Sequence, residues 1–237
     1  MFVLLHSPLV GPFTWAPVAD ELRRRGVDAI IPTLDSPTAP GSRYWERHGR
    51  TVAEALEDVA PQQPLILAGH SGAGMLLPAI RQLTRRPVAA YLFVDAGIPE
   101  DGKSRLDLFE DPQAAELFRR AAVGGLLPTW KEEDLRAAIP DHERRQRFVA
   151  ELRPLPLAVY EEPIPVFEGW PDAPCGYVRF GANPAYDAPA ERARRAGWPY
   201  RELAGAHFHM LVDPAAVAGA LLDLVEQLRG SAVRGDK

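Results

Sequence analysis

The sequence predicts an α/β fold, a mostly parallel sheet flanked by helices, on three observations. Short apolar runs alternate along the chain with stretches of helical period, as strands do when each crosses to the next through a helix. At residues 65–76, LILAGHSGAGML, an apolar strand run passes into a helical pattern through a serine set among small residues. Between the runs that end near 94 and begin near 176 lies a long stretch without a strand pattern, which marks an insertion.

Taken in order, the strand runs are 2–5 (FVLL), 28–31 (DAII), 65–68 (LILA), 89–94 (AAYLFV), 176–180 (GYVRF) and 199–203 (PYREL). Helical patterns fall at 15–25, 49–59, 74–84, 188–196 and 214–229, the last with apolar residues at 217, 221, 224, 225 and 228. The insertion carries amphipathic pieces near 104–121, 131–138 and 141–152, then a proline-rich return over 154–174. An insertion there covers the C-terminal ends of the strands, where such sheets bind ligands. The expected layout is a core of 1–98 and 173–232 with a helical cap of 99–172. The tail SAVRGDK is expected to fray, and no internal repeat is visible.

Composition narrows the partners. At 237 residues the chain fits one domain with an insertion. Its 27 Lys and Arg are scattered against 32 Asp and Glu, and the RRR run at 23–25 fits a solvated helix face. Nucleic acid is therefore not an expected partner. The single Cys175 rules out an internal disulfide framework and points to a reducing, cytoplasmic compartment. FVLL is too short for the apolar region of a signal peptide, and no apolar stretch reaches membrane-spanning length, so no membrane partner is expected.

Ser71 is the candidate nucleophile. A sharp strand-to-helix turn strains its central residue and needs small neighbours, here Gly69, Gly72, Ala73 and Gly74. Such a turn projects the Ser71 hydroxyl outward, and the helix N-terminus behind it favours developing negative charge. The usual G-x-S-x-G reads G-H-S-G-A, with Gly74 one step late. The plain alternative is a glycine-rich turn with an idle serine.

Five landmarks follow one another: His6-Ser7-Pro8, Ser71, Asp95, Asn183 to Asp187, and His207. Together they resemble the α/β-hydrolase superfamily over nearly the whole chain, and within it the plant methylesterase and hydroxynitrile lyase group. That group opens with a strand and H-[GT]-x-x-H-G-x-W-x-W, and FVLLHSPLVGPFTW has His6, Gly11 and Trp15 at matching spacing. Its elbow can read G-x-S-x-A-G, as GHSGAG does. Its histidine stands in D-H-x-x-M-L-x-x-P, and AHFHMLVDP keeps His207, Met210, Leu211 and Pro214 in register. The resemblance implies the α/β-hydrolase fold with a helical cap, a cofactor-independent carboxylic ester hydrolase, and His207 as the base that activates Ser71. His209 is the rival base, or a residue supporting the loop or facing the pocket.

The acid is less orderly. The resembling group keeps its aspartate six residues past the tyrosine of a Y-V strand start. Counting from Tyr177 reaches Asn183, which carries no charge. Haloalkane dehalogenase-like members place the acid at the end of the strand after the elbow, which corresponds to Asp95 in FVD. Asp95 is thus the candidate acid and Asp187 its rival, and Asp95 could instead only cap its own turn.

The oxyanion donors also depart from the pattern. Gly72 N–H supplies one, but the residue two past His6 is Pro8, which has no N–H. The Ser7 hydroxyl, at a position where hydroxynitrile lyases use a hydroxyl, or the Leu9 N–H is the candidate replacement. Ser7 could equally be a turn residue. Trp15, Phe13, Tyr44, Trp45, Phe109, Phe118, Trp130, Trp170 and Phe208 supply packing, two or three of them lining a cleft that suits a small hydrophobic substrate.

No metal or cofactor is expected. His207-x-His209 has no third ligand at a telling spacing, and no G-x-G-x-x-G opens a helix after a strand.

The leading expectation is a serine hydrolase of a hydrophobic ester, thioester or lactone, monomeric or homodimeric. A lyase or cyclase using the same Ser/His/Asp site as an acid–base device is the second, and a non-catalytic ligand-binding protein the third. Only the first requires an acyl-enzyme, and fold alone decides none of them.

Overall fold

The computed structural model describes residues 1–34, 43–109, 112–122, 124–127 and 130–235. Its strands are β1 (Phe2–Leu5), β2 (Ala29–Ile30), β3 (Leu65–Ser71), β4 (Val88–Ala96), β5 (Leu126–Leu127), β6 (Leu155–Pro156), β7 (Cys175–Phe180) and β8 (Tyr200–Leu203). Six of them form one sheet in the order β2-β1-β3-β4-β7-β8 with every pair parallel. β5 and β6 make a short antiparallel ladder inside the insertion. The helices are α1 (Ala16–Arg24), α2 (Tyr44–Ala55), α3 (Leu77–Thr84), α4 (Pro112–Arg120), α5 (His142–Ala150), α6 (Ala158–Glu161), α7 (Asp187–Arg195) and α8 (Pro214–Gly235).

A parallel sheet needs cover on both faces, and the alternation along β1 shows how it is provided. Phe2 and Leu4 join Val18 and Leu22 of α1 and Leu221 and Leu224 of α8 in one buried cluster. Val3 and Leu5 face the other way, with Val52 of α2, Leu77 and Ile80 of α3 and Ala190 of α7. Each such side chain contributes roughly 1.5–3 kcal/mol on burial. The strand order reverses between β1 and β3, so the loop after β1 and the elbow after β3 flank the crevice where such sheets bind ligands.

All six strands of the main sheet were legible, one of them shorter than its apolar run. The edge strand β2 is cut to two residues, because Pro32 follows closely and cannot donate to a ladder. The helix expected over 49–59 runs instead from Tyr44 to Ala55. Its first N–H groups, those of Tyr44 and Trp45, donate to the Glu162 carboxylate at 2.8 and 2.7 Å. A cap delivered from so far along the chain leaves no local signal. The helix α8 continues to Gly235, and residues 236 and 237 lie outside the described residues.

In the insertion, the expected 104–121 piece divides into a 3-10 turn (Leu106–Leu108) and α4, residues 110 and 111 lying outside the described residues. The 131–138 piece holds only a 3-10 turn, Glu132–Leu135. α5 begins where the Asp141 carboxylate accepts the Arg144 N–H at 2.8 Å. Leu106, Leu135, Ile139, Phe148 and Val159 share a buried cluster with Leu9 and Phe13 after β1 and with Phe208. The insertion therefore packs over the C-terminal ends of the strands. Among the described residues no helix is long and apolar enough to cross a membrane.

Candidate active site

Ser71 closes β3 with φ at 57°, a left-handed conformation that non-glycine residues seldom adopt. The β3–β4 register shifts between His70 and Ser71, where the chain turns off the sheet. A Cβ on Gly69 would come within 3.0 Å of the Gly74 backbone, and one on Gly74 would strike the Gly97 carbonyl. The smallness of these neighbours is thus a packing requirement of the turn.

Asp95 sits near the end of the adjacent strand β4, also left-handed at φ 44°. Its carboxylate is fully buried and accepts from every side. Oδ2 lies 2.7 Å from His207 Nδ1 and takes the Asn183 amide at 2.7 Å. Oδ1 takes Arg179 Nη1 at 3.1 Å and the Phe180 N–H at 3.2 Å. A buried carboxylate is tolerable only when its lone pairs are matched in this way. The Asn183 amide nitrogen is also 3.0 Å from His207 Nδ1. With the Nδ1 proton directed at Asp95 that nitrogen has no lone pair to offer, so the amide serves the carboxylate.

Asp187, the rival acid, does not join this group. Its carboxylate pairs with Arg179 Nη2 and its side chain is 67% exposed. His209 packs beneath Gly205, where a Cβ would collide with its ring, and against the edge of Phe180 at 5.6 Å.

His207 is held from three further directions. Its carbonyl accepts from His70 Nε2 at 2.9 Å, and the His70 ring lies 4.4 Å from its own. Tyr186 stacks on its other face, 5.1 Å between centroids and 11° from parallel. The Tyr186 hydroxyl reaches Ser71 Oγ at 2.9 Å. Burial raises the pKa of that phenol, so it stays protonated and available as a donor.

Around the β1 loop, Ser7 is buried beside the Tyr160 hydroxyl. Leu9 is buried and its carbonyl accepts the Arg153 N–H at 3.0 Å. Trp15 is fully enclosed, its edge toward His70 at 6.2 Å, and so supports the site from below. Gly72 faces the insertion: Arg105 Nε donates to its carbonyl at 3.1 Å. Of the candidate cleft aromatics, Phe208 packs on His207 and touches Trp130, while Phe109, Phe118 and Tyr160 form a row of ring contacts. Tyr44 is core, and Trp170 packs on Tyr91.

Sequence reasoning missed Tyr186, Tyr160, His70, Arg105 and Arg179 as members of this neighbourhood. Arg179 carried a signal, since a charge inside the buried run GYVRF demands a buried partner. The others carried none, because side chains from β3, the insertion and the turn before α7 meet only in three dimensions.

Comparison with known proteins gives the class. The alpha/beta hydrolase family matches residues 2–220, and the chain belongs to it. The carbendazim-hydrolysing esterase of Nocardioides sp. (strain SG-4G) is 27% identical over 69% of this chain and 72% of its own length. Esterase PIR7B of rice is 30% identical over 53% of the chain and 47% of its length. Putative methylesterase 13 of Arabidopsis thaliana is 24% identical over 70% of the chain and 42% of its length. The chain thus spans less than half the length of the two plant relatives. Among solved structures, an extracellular α/β-hydrolase from a Paenibacillus species superposes with a TM-score of 0.75 at 20% identity, covering 94% of this chain and 98% of that one. Tomato methylketone synthase I superposes at 0.69 and 15% identity, over 96% and 98%. These two likenesses speak to the fold alone. The named relatives are esterases and a putative methylesterase, which supports an enzyme of the carboxylic ester hydrolase class.

Proposed function

We propose that the chain is a serine hydrolase in which Ser71 is the nucleophile, His207 the general base and Asp95 the acid that orients it. One observation carries the reading: the buried Asp95 carboxylate on His207 Nδ1 at 2.7 Å, in the loop after the last strand of a sheet whose central turn presents Ser71. With Nδ1 committed to Asp95, Nε2 is the free base. Ser71 Oγ shares a hydrogen bond with the Tyr186 hydroxyl, in which either oxygen can donate, and gives its proton to Nε2 when it attacks.

Attack on an ester carbonyl puts negative charge on the carbonyl oxygen, which the Gly72 N–H takes. Pro8 offers no second N–H, so the Ser7 hydroxyl or the Leu9 N–H completes the pair. His207 passes the proton to the departing alcohol, then draws one from the water that attacks the acyl-enzyme and returns it to Ser71 Oγ as the acid leaves. The insertion, residues 99–172, acts as a cap over the core of 1–98 and 173–232. Phe208 and Trp130 offer a wall for an apolar part of an ester, thioester or lactone. The buried Cys175, its thiol pushed up to about 12 by burial, fits a cytoplasmic enzyme, monomeric or dimeric, that uses no thiol chemistry.

A second reading, acid–base catalysis without an acyl-enzyme, is favoured by one feature: Pro8 removes a donor from the place where hydrolysis needs it. Labelling by a fluorophosphonate, read by intact mass, and turnover of nitrophenyl esters decide between them. Stoichiometric labelling at Ser71 with ester turnover supports hydrolysis. Turnover with no covalent intermediate supports the second reading.

A further inference from the structure

Arg105 precedes the 3-10 turn Leu106–Leu108 of the insertion and is only 5% exposed. Its Nε donates to the Gly72 carbonyl at 3.1 Å and its Nη1 to the Val159 carbonyl at 2.8 Å. Its Nη2 is buried and has no hydrogen-bond partner among the described residues. No carboxylate pairs with this guanidinium among the described residues. Glu162, whose charge it feels, is occupied by the N–H groups of Tyr44 and Trp45. A buried cation without a counter-charge is costly unless something else brings the charge.

The guanidinium lies against the elbow turn. A Cβ on Gly72 would stand 3.3 Å from Arg105 Nε and 3.5 Å from its Cδ, with Ser7 Oγ 3.6 Å away. Glycine directly after the nucleophile therefore lets the arginine lie against the turn. Beside that turn stand this cation and the Ser7 hydroxyl, with the Tyr186 hydroxyl on Ser71.

We propose that the substrate carries a carboxylate on its acyl side, a half-ester of a dicarboxylic acid, and that Arg105 Nη2 receives that carboxylate while Ser71 attacks the ester carbonyl. This rests on the hydrolase reading above. In the reaction the acyl C–O bond breaks, water supplies the new acyl oxygen, and a dicarboxylate and an alcohol leave. A guanidinium–carboxylate hydrogen bond in a dry site favours the charged ester by about ten- to a hundredfold.

The test compares mono-4-nitrophenyl glutarate with 4-nitrophenyl hexanoate, each corrected for spontaneous hydrolysis. The native enzyme should show the larger kcat/KM on the glutarate ester, chiefly through KM. In Arg105→Gln the ratio of the two should fall to about one, and Arg105→Lys should restore part of it. A native preference for hexanoate, or a ratio unmoved by Arg105→Gln, overturns the proposal. So does an equal loss on both esters, which would make Arg105 an oxyanion donor for any ester. Calorimetric titration of the native protein with glutarate and with pentanoate needs no catalysis and no variant. Glutarate should bind at least about tenfold tighter, and equal binding overturns the proposal. Failure of both esters and of fluorophosphonate labelling, with glutarate still bound selectively, would sink the hydrolase reading alone.

Discussion

The Asp95 carboxylate meets the His207 imidazole at 2.7 Å, although the two residues stand 112 positions apart. The amide of Asn183 bonds the same carboxylate oxygen and lies 3.0 Å from the same ring nitrogen. Asp95→Asn should therefore lower kcat by up to about 10⁴, because an amide permits the wrong tautomer and removes the charge. Asp187→Asn, at an exposed carboxylate, should stay within about fivefold. In the Asp95→Asn background, Asn183→Asp should recover part of the loss. Steady-state kinetics of the four proteins check the set, and the larger loss at Asp187 would move the acid there.

Tyr186 bridges Ser71 and His207, by its hydroxyl to the one and by its ring to the other. Tyr186→Phe keeps the ring and removes one hydrogen bond, so kcat should fall by about tenfold with the melting temperature little changed. Ser71→Ala should lose at least about 10⁴. If Tyr186→Phe matches that loss, the phenol itself takes part in proton transfer.

His6 is buried with Nδ1 donating to the Ser7 carbonyl at 2.8 Å and Nε2 accepting the Leu34 N–H at 3.2 Å. A second proton on the ring would face a donor, and burial lowers its pKa from 6.5 to about 4. The unfolded chain binds that proton first. Stability is therefore full above pH 6.5 and declines as pH falls toward 4, by roughly 3 kcal/mol from this group. His70, fully buried and likewise held well below its ordinary pKa, acts in the same sense. Urea unfolding across that range in the native protein and in His6→Gln measures the slope, which should be shallower in the variant.

The Glu162 carboxylate supplies α2 with the N-terminal cap that its own sequence lacks. Glu162→Ala should cost about 0.5–2 kcal/mol of stability, and Glu162→Gln, which keeps one acceptor, less. Chemical denaturation gives both values, and equal stability of all three proteins would show that water caps the helix as well.

What the sequence disclosed was what repeats along the chain. The strands of the main sheet announced themselves as apolar runs, and Ser71 by the small residues around it. The start of α2 did not, since its cap comes from Glu162, 118 residues beyond Tyr44. The cleft aromatics divided by packing that no local pattern encodes: Trp15 is sealed under His70, while Phe208 rests on His207. The Tyr186 hydroxyl reaches Ser71 from a 3-10 turn, and Tyr160 stands by Ser7 from α6, placements that only the finished fold sets.

The bare α-carbon at position 72 makes two distant positions a single unit of variation. Any side chain introduced there would press on Arg105, and any shorter residue at 105 would leave a void over the turn. Libraries that randomise these sites one at a time will meet mostly losses, and the chain's altered specificities should be found among paired exchanges, such as a branched apolar residue at 72 with a small one at 105.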